Sequence, residues 1–171
     1  AVTARRGRGR QILAGIEAAR ADWLLLLHAD TRLGKDWPTA AAAHMADPAN
    51  RWRAGYFRLV LDDADPRARR IERLAAWRSR RLGLPYGDQG LLIHRRLLEA
   101  VGGWRPLSLM EDVDIALRLG PRRSVPLAAD AVTSAVRYRR DGYTRRPVRN
   151  VTLLVLYFLG LPTCLLRRLY Q

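Results

Sequence analysis

Two polar side chains follow directly after the longest uninterrupted apolar run in the first third of the chain. The residues from Trp23 to Leu27 are all apolar, and His28 and Asp30 come next. Such a run is typical of a strand buried on both faces, although a buried helix segment has the same composition. Strand side chains alternate, so we expect His28 and Asp30 on the same side. A carboxylate here suits a divalent cation shared with a ligand's phosphates. For an isolated His-Ala-Asp triplet, however, the preferred interpretation is that Asp30 caps the next turn and His28 is an ordinary edge residue.

Two glycine-containing segments are candidates for contacts with an anionic ligand. Gly7, Arg8 and Gly9 precede a predicted helix, where backbone N–H groups and a guanidinium can face an anion. In the segment 83–90, glycines flank Asp88 and Gln89 just before a short apolar run. This arrangement predicts a tight loop that enters a strand, either as a ligand-contacting loop or as an ordinary turn.

Acidic and basic groups also occur together in the second half of the chain. Glu111 and Asp112 open a predicted helix, where the helix dipole favours them and where a carboxylate can also accept a proton from a substrate. The segment 137–146 is rich in arginine and tyrosine, and its guanidinium groups could clamp a diphosphate.

The segments between these candidates alternate between helical and strand patterns, which predicts an α/β fold in a single domain over 1–171. We divide it into an α/β core, 1–147, and an apolar C-terminal helical segment, 148–171. Helices are predicted from residue 11 and over 39–45, 68–82, 95–101 and 110–119, with Ile71, Leu74 and Trp77 as core contacts of the third. Strands are predicted over 53–61, 91–93, 125–127 and 131–136.

The composition restricts the classes of partner. The formal net charge is +15, which favours binding to nucleic acid or to an anionic membrane. However, Lys35 is the only lysine and the arginines are spread along the chain, a pattern that resembles coding bias, so nucleic acid is disfavoured as the main partner. Cys164 is the only cysteine, so an internal disulfide is impossible, as is typical of a cytoplasmic domain. It lies in an apolar stretch, where we expect a buried thiol.

The apolar C-terminal stretch has two interpretations. Residues 151–166 are nearly all apolar but fall short of the roughly 20 residues needed to cross a bilayer. A buried helix is the default expectation. An interfacial helix is the alternative, because arginines at positions 145, 146, 149, 167 and 168 flank the stretch. This alternative would place the protein at the inner face of the membrane.

Taken together, the candidate segments resemble those of a known enzyme family. Gly-Arg-Gly-Arg, Leu-His-Ala-Asp-Thr, Gly-Asp-Gln-Gly, Met-Glu-Asp-Val-Asp and the late Arg/Tyr cluster occur in the order found in family 2 glycosyltransferases, in particular the bacterial selenodomain-associated transferases. The resemblance covers residues 5–170. It implies a GT-A fold, which is a Rossmann-like three-layer α/β/α sandwich, a nucleotide-sugar donor and a divalent metal, Mn²⁺ or Mg²⁺. The acceptor is not implied, and a lipid-linked hydroxyl compound is one option.

The resemblance also implies roles for individual residues. Asp30 matches the family's ligand for the metal and the diphosphate, and His28 stands where many members have a second Asp. Asp112, with Glu111, matches the pair that supplies the catalytic base. The remaining matches are Arg8 at the donor diphosphate, Asp88 and Gln89 in the sugar and acceptor pocket, and the basic segment Arg137, Tyr138, Arg139 and Arg140 that closes over the diphosphate.

Two departures from the family pattern qualify these expectations. Leu13 occupies a position where family members have an Asn that lies near the nucleotide. Members also begin with a strand, a helix and a second strand that bind the nucleoside base, and this sequence aligns only after them. We therefore expect an N-terminally truncated sheet with an unpaired strand edge. The competing functions are an inactive truncated transferase and a non-catalytic basic module that binds an anionic membrane or nucleic acid.

Overall fold

The computed structural model describes residues 2–170 and has one five-stranded sheet with helices packed around it. Ala1 and Gln171, the two ends of the predicted domain, lie outside the described residues. The α/β class predicted from the sequence is confirmed. The strands are β1 (Trp23–Leu26), β2 (Thr31–Leu33), β3 (Ala54–Leu61), β4 (Leu91–His94) and β5 (Ser124–Thr133). The helices are α1 (Arg8–Ala18), α2 (Trp37–Ala46), α3 (Pro66–Leu82), α4 (Arg95–Ala100), α5 (Glu111–Leu119), α6 (Val136–Asp141), α7 (Arg145–Phe158) and α8 (Thr163–Tyr170).

The sheet is mixed, with the spatial order β1-β4-β3-β5-β2. β3 and β5 pair in parallel, whereas β1 with β4, β4 with β3 and β5 with β2 pair antiparallel. The two strands predicted at 125–127 and 131–136 are one strand, β5, because it pairs with β3 along nearly its whole length. Val136 starts α6 instead of ending a strand.

Apolar side chains cover both faces of β1 and β4. On one face, Leu24 and Ile93 pack with Ile16 of α1, with α4 and with α5. On the other face, Leu92 packs with Phe57 and with α2. Because strand side chains alternate, neighbouring residues such as 92 and 93 contribute to different clusters. A third cluster joins β3 to α3 and to the segment around Tyr143.

The strand predicted to run from Trp23 towards Thr31 is shorter than expected and lies at an edge of the sheet. β1 ends at Leu26, only Leu24 of its four residues is buried, and within residues 2–170 it pairs only with β4. Apolar side chains do pack on both faces of β1, as predicted, but its position at the edge of the sheet leaves three of its four residues only partly buried. The chain turns after Leu27, and the Thr31 N–H donates to the His28 carbonyl at 3.1 Å. His28 and Asp30 are thus placed by a turn and not by strand alternation.

Two helices differ from their predicted form. α1 begins at Arg8 and not at Gln11, so Arg8 lies in its first turn. α3 packs against β3 through the small side chains of Ala68 and Ala75, whereas the predicted core contacts Leu74 and Trp77 are 60% and 57% exposed. Small residues allow the helix to approach the sheet closely, so its larger apolar side chains are left on the outside. Ile71 alone of the predicted contacts is partly buried.

The C-terminal segment forms two helices and not one buried helix. α7 crosses the predicted boundary between residues 147 and 148, and several of its apolar side chains are exposed. The default expectation of burial is therefore wrong, and so is the expected burial of Cys164, which is exposed. Within residues 2–170, no helix combines the length and apolar composition needed to cross a membrane.

Candidate functional site

The candidate site is a cavity of about 110 Å³ formed by side chains from elements far apart in sequence. Its charged and aromatic walls come from the start of α1, the turn between β1 and β2, the loop before β4, and helices α5 to α8. The polar residues that line it include Arg8, His28, Asp30, Tyr86, Asp88, Asp112, Arg137, Tyr138, Arg146 and Tyr170. The cavity therefore unites five of the segments singled out in the sequence.

A larger groove leads into this cavity along the unpaired edge of β1. Its volume is about 850 Å³, and its walls are α1 on one side and the β1 backbone region on the other. The groove and the cavity share Arg8, His28, Asp30 and Arg137. An elongated ligand could therefore extend from the groove, past these four side chains, into the cavity.

Arg8 is held in place by Glu111. The Arg8 Nε donates to the Glu111 carboxylate, and Glu111 is only 2% exposed. Burial opposes the charge of Arg8, but this hydrogen bond and the nearby Asp112 carboxylate outweigh it and raise the Arg8 pKa. Glu111, which is predicted to supply the base together with Asp112, does not line the cavity, and its carboxylate orients the Arg8 guanidinium.

Asp112 is fixed by two backbone donors. Its Oδ2 accepts from the Gly87 N–H and its Oδ1 from the Val113 N–H, each at 2.9 Å. Gly87 also lies against the His28 ring so closely that an added Cβ would overlap it. The group that comes close to the Gly87 backbone is thus a side chain of the same protein. These contacts couple the loop before β4 to both His28 and the start of α5.

His28 lies among charged groups of both signs. Burial lowers its pKa, as does the Arg8 guanidinium, and the Asp112 and Asp30 carboxylates oppose that shift only in part. The ring is therefore neutral at pH 7, since even an unperturbed histidine has a pKa near 6.5. A neutral ring can donate one hydrogen bond and accept another without adding charge to the site.

Asp30 and Asp88 present carboxylate oxygens to the same cavity. Asp30 Oδ2 lies 3.4 Å from a terminal nitrogen of Arg137, and Asp88 Oδ1 is buried with no hydrogen-bond partner among the described residues. Burial raises the pKa of Asp88, Arg78 opposes this, and the Asp112 and Asp30 carboxylates raise it further. A cation bound between the carboxylates would supply the missing partner of Asp88 and relieve this repulsion.

The donor set suits a divalent cation that is shared with a ligand. Carboxylate oxygens are preferred by Mg²⁺ and are accepted by Mn²⁺. Within residues 2–170, no group of three His, Cys, Asp or Glu side chains is arranged to hold a metal by itself. An ion held through Asp30 and Asp88 would therefore complete its coordination with water or with oxygens of the bound ligand.

Met110 adds a strained backbone to the cavity wall. Its φ is 64°, the left-handed conformation, and it is the one residue other than glycine with a positive φ in the described part of the chain. Methionine adopts this conformation rarely because its Cβ approaches the following carbonyl oxygen. The strained residue directly precedes Glu111 and Asp112, so it sets the point at which α5 begins.

Not every predicted site residue reaches the cavity. Arg137 and Tyr138 line it, but Arg139 pairs with Asp63 and Arg140 with Asp141, at 3.0 Å and 2.7 Å. The prediction treated the four as one segment, whereas in α6 successive side chains point about 100° apart and cannot all face one cavity.

Gln89 also lies outside the cavity, as a buried structural residue. It is 1% exposed, and its Oε1 accepts from the Ser79 hydroxyl at 2.8 Å. Its side-chain amide nitrogen donates to the Phe57 carbonyl at 3.1 Å. Gln89 thus ties the loop before β4 to α3 and β3 and supports the position of its neighbour Asp88.

The structure brings to the cavity further residues that the sequence identified only as parts of longer segments, such as Arg146 and Tyr86, or did not identify, such as Tyr170. Arg146 is 7% exposed, donates to Asp141 at 3.0 Å and to the Tyr170 hydroxyl at 3.2 Å, and lies over the Tyr138 ring. Burial raises the pKa of Tyr138 to about 12. Tyr86, with the Arg78 guanidinium over its ring, completes the aromatic wall. The density of arginine in the segment 137–149 was the available signal for Arg146, but it could not separate this residue from its neighbours.

Comparison with known proteins identifies no relative of this chain. No match is found among protein-family models, curated proteins or solved structures. The functional argument therefore depends on the geometry and chemistry of the site.

Proposed function

We propose that the chain is a glycosyltransferase that moves a sugar from a nucleotide-sugar donor to an acceptor hydroxyl. The observation that carries the proposal is the convergence on one cavity of Arg8, His28, Asp30, Asp88, Asp112 and Arg137. Guanidinium groups suit a diphosphate, and the carboxylates suit a cation and a proton. The same segments carry the resemblance to family 2 glycosyltransferases. We therefore extend the proposal to a GT-A arrangement of the α/β fold.

The donor would occupy the groove and the cavity together. Its nucleoside would lie in the larger groove beside β1, and its diphosphate at the side chains common to both spaces, chiefly Arg8 and Arg137. The sugar would then enter the cavity next to Asp88 and Asp112. Arg8 is already oriented by Glu111, so less conformational entropy is lost when it binds an anion.

In the proposed reaction, Asp112 is the general base. As the acceptor oxygen forms its bond to the anomeric carbon of the sugar, the bond from that carbon to the diphosphate breaks and Asp112 takes the proton of the acceptor hydroxyl. Direct displacement of this kind inverts the anomeric configuration. The N–H groups of Gly87 and Val113 hold the carboxylate in one orientation, and the guanidinium groups stabilise the charge that develops on the diphosphate.

Asp30 and Asp88 would hold the divalent cation. When bound, Mn²⁺ or Mg²⁺ supplies positive charge that stabilises the departing diphosphate. The protein's own contribution is to hold the two carboxylates in a partly buried cavity and to keep His28 neutral beside them.

Calorimetric titration with UDP and GDP, with and without Mn²⁺, tests the donor site. We expect binding that requires Mn²⁺, is lost in Asp30→Asn and is retained in Asp36→Asn, whose side chain lies outside the cavity and makes no cap hydrogen bond. Absence of binding by a chain with a cooperative unfolding transition would overturn the proposed donor site. Binding that is equally strong in Asp30→Asn would remove Asp30 from it.

A matched pair of arginine variants tests the diphosphate contact. Arg137→Gln should weaken nucleotide binding about tenfold, because it removes a charge-assisted hydrogen bond. Arg140→Gln on the same helix should leave the affinity unchanged, since Arg140 pairs with Asp141 outside the cavity. Equal effects of the two substitutions would indicate a diffuse electrostatic attraction instead of a built site.

The catalytic step requires a separate variant. Asp112→Asn should retain nucleotide binding and lose release of UDP or GDP from a panel of nucleotide sugars. The amide oxygen can keep one of the two backbone hydrogen bonds, from Gly87 or from Val113, but the amide cannot take the acceptor's proton. Normal turnover by this variant would exclude Asp112 as the base.

A further inference from the structure

Helix α7 has two faces with different environments. Arg146, Asn150 and Leu153 on its inner face line the cavity. On its outer face, five apolar side chains are between 50% and 77% exposed: Val148, Val151, Val155, Phe158 and Leu159. At 3.6 residues per turn, these five fall within an arc of about 100°. We call them the α7 strip.

The α7 strip is continuous and has no cover within the described chain. It extends over 11 residue steps, or about 16 Å along the helix, and α8 adds the exposed side chains of Leu165 and Leu169. Single exposed apolar residues are common on soluble proteins, but a connected strip on one helix face indicates an interaction surface.

Arginines lie along one flank of the strip and on the neighbouring helix α8. Arg145 lies beside it on α7, Arg167 and Arg168 are exposed on α8, and Arg149 is partly exposed although it also contacts Asp141. Long arginine side chains can reach the phosphate level of a bilayer while apolar neighbours enter the acyl region. The formal net charge of +15 adds attraction to an anionic surface.

The charges also distinguish between two kinds of occupant. A second copy of the chain would bring two arginine-rimmed strips together and place like charges next to each other, which disfavours association. An anionic bilayer complements both the apolar strip and its rim. Since no helix in residues 2–170 can cross a membrane, the strip would lie along the surface.

We propose that the α7 strip binds the surface of an anionic lipid bilayer, with α7 parallel to the membrane plane. Val148, Val151, Val155, Phe158 and Leu159 enter the region between headgroups and acyl chains, and Arg145, Arg149 and Arg168 contact lipid phosphates. The proposal does not depend on the chemistry of the cavity, because it rests on the opposite face of the helix.

Sedimentation with lipid vesicles tests the proposal on the full chain. Vesicles of phosphatidylcholine and phosphatidylglycerol should bind the protein, and vesicles of phosphatidylcholine alone should bind it much more weakly. The double variant Val151→Glu/Val155→Glu should lower partitioning to the anionic vesicles at least about tenfold. The matched control is Leu74→Glu/Trp77→Glu, because these side chains are equally exposed on another arginine-rich helix. The control should bind like the unaltered chain.

Three outcomes would overturn the proposal. The first is equal loss in the two double variants, which would indicate adsorption through net charge alone. The second is unchanged binding in the α7 variant. The third is a dimer in lipid-free solution that the α7 variant dissociates, with no vesicle binding by the unaltered chain, which would assign the strip to a second copy.

A fluorescence measurement on the unaltered sequence tests the proposal even if the variants fail to fold. Cys164 is exposed and is the only cysteine, so an environment-sensitive fluorophore can be attached next to Leu165 on α8. Anionic vesicles should shift its emission to the blue, and lipids brominated near the headgroup should quench it more than lipids brominated deep in the acyl chain. An unshifted emission would contradict a membrane-bound α7–α8 surface.

Discussion

Replacement of Gly87 by alanine tests whether the loop before β4 and His28 are packed as one unit. An added Cβ would lie 3.0 Å from His28 Cδ2 and closer still to two other ring atoms. Because ordinary contacts are about 3.5–4.0 Å and the nearest ring atom sets the requirement, the ring or the loop must move by about 1.5 Å. The φ of Gly87 is not positive, so backbone strain makes no contribution.

The expected cost is about 2 kcal/mol in the free energy of unfolding. Overpacking in a well-packed region costs about 1–3 kcal/mol, and movement of the loop would also weaken the hydrogen bond from the Gly87 N–H to Asp112. Nucleotide binding should fall as well, because His28 and Asp112 both line the cavity.

The assay is urea denaturation of five chains: the unaltered chain, Gly87→Ala, His28→Ala, their double variant and Gly15→Ala. Gly15→Ala is the matched control: Gly15 lies inside α1 with no atom within 4 Å of an added Cβ, so alanine there should stabilise by about 0.5–1 kcal/mol. In Gly87→Ala/His28→Ala the clash is absent, and the double variant should lose less stability than the two single variants summed. Strict additivity, or a Gly87→Ala chain as stable as Gly15→Ala, would refute the packing argument.

Three further predictions address packing and charge. Trp77→Ala should change stability by less than about 0.5 kcal/mol, whereas Phe57→Ala should cost about 3–5 kcal/mol, because only Phe57 is buried; thermal or urea unfolding checks both. Arg8→Met should cost about 2 kcal/mol by leaving Glu111 buried without its cation, and adding Glu111→Gln should recover part of that loss. The Tyr143 hydroxyl, the Asp65 N–H and Arg139 lower the pKa of Asp63 to about 2. Its contribution to stability is therefore present above the ordinary carboxyl pKa of 3.8 and is lost as the pH falls towards 2; carboxyl NMR titration of Tyr143→Phe should show a higher Asp63 pKa.

Much of the fold could be predicted from local sequence signals. The glycine pair after α4, the acidic start of α5 and the strand-type composition of β3 mark elements that occur close to their predicted positions. These features reflect capping, the helix dipole and local residue preferences, all of which act within a few residues. The same local signals identified Arg8, Asp30, Asp88 and Asp112, which lie together in the cavity.

The failed predictions concern long-range packing. The pattern of α3 could not reveal that Ala68 and Ala75, and not Leu74 and Trp77, face the sheet, because both faces carry apolar residues. Likewise, β5 was divided in two because its pairing with β3, from Ala54↔Ser124 to Leu61↔Thr133, is a tertiary property. A sequence pattern gives the apolar positions of an element, but the element's neighbours decide which of them are buried.

Helix α7 is the clearest case in which contacts with neighbouring residues decide which side chains are buried. Its apolar residues occur all round, so periodicity alone favoured complete burial. Arg146 and Asn150 nevertheless face inward, where the two terminal nitrogens of Arg146 donate to Asp141 and to the Tyr170 hydroxyl, and this leaves the valines and Phe158 outside. A buried arginine needs such partners, and Asp141 and Tyr170 supply them on the cavity side of the helix. The polar wall of the cavity and the exposed apolar strip are therefore two consequences of one helix orientation, so a substitution that frees Arg146, such as Asp141→Asn, should disturb both nucleotide and vesicle binding.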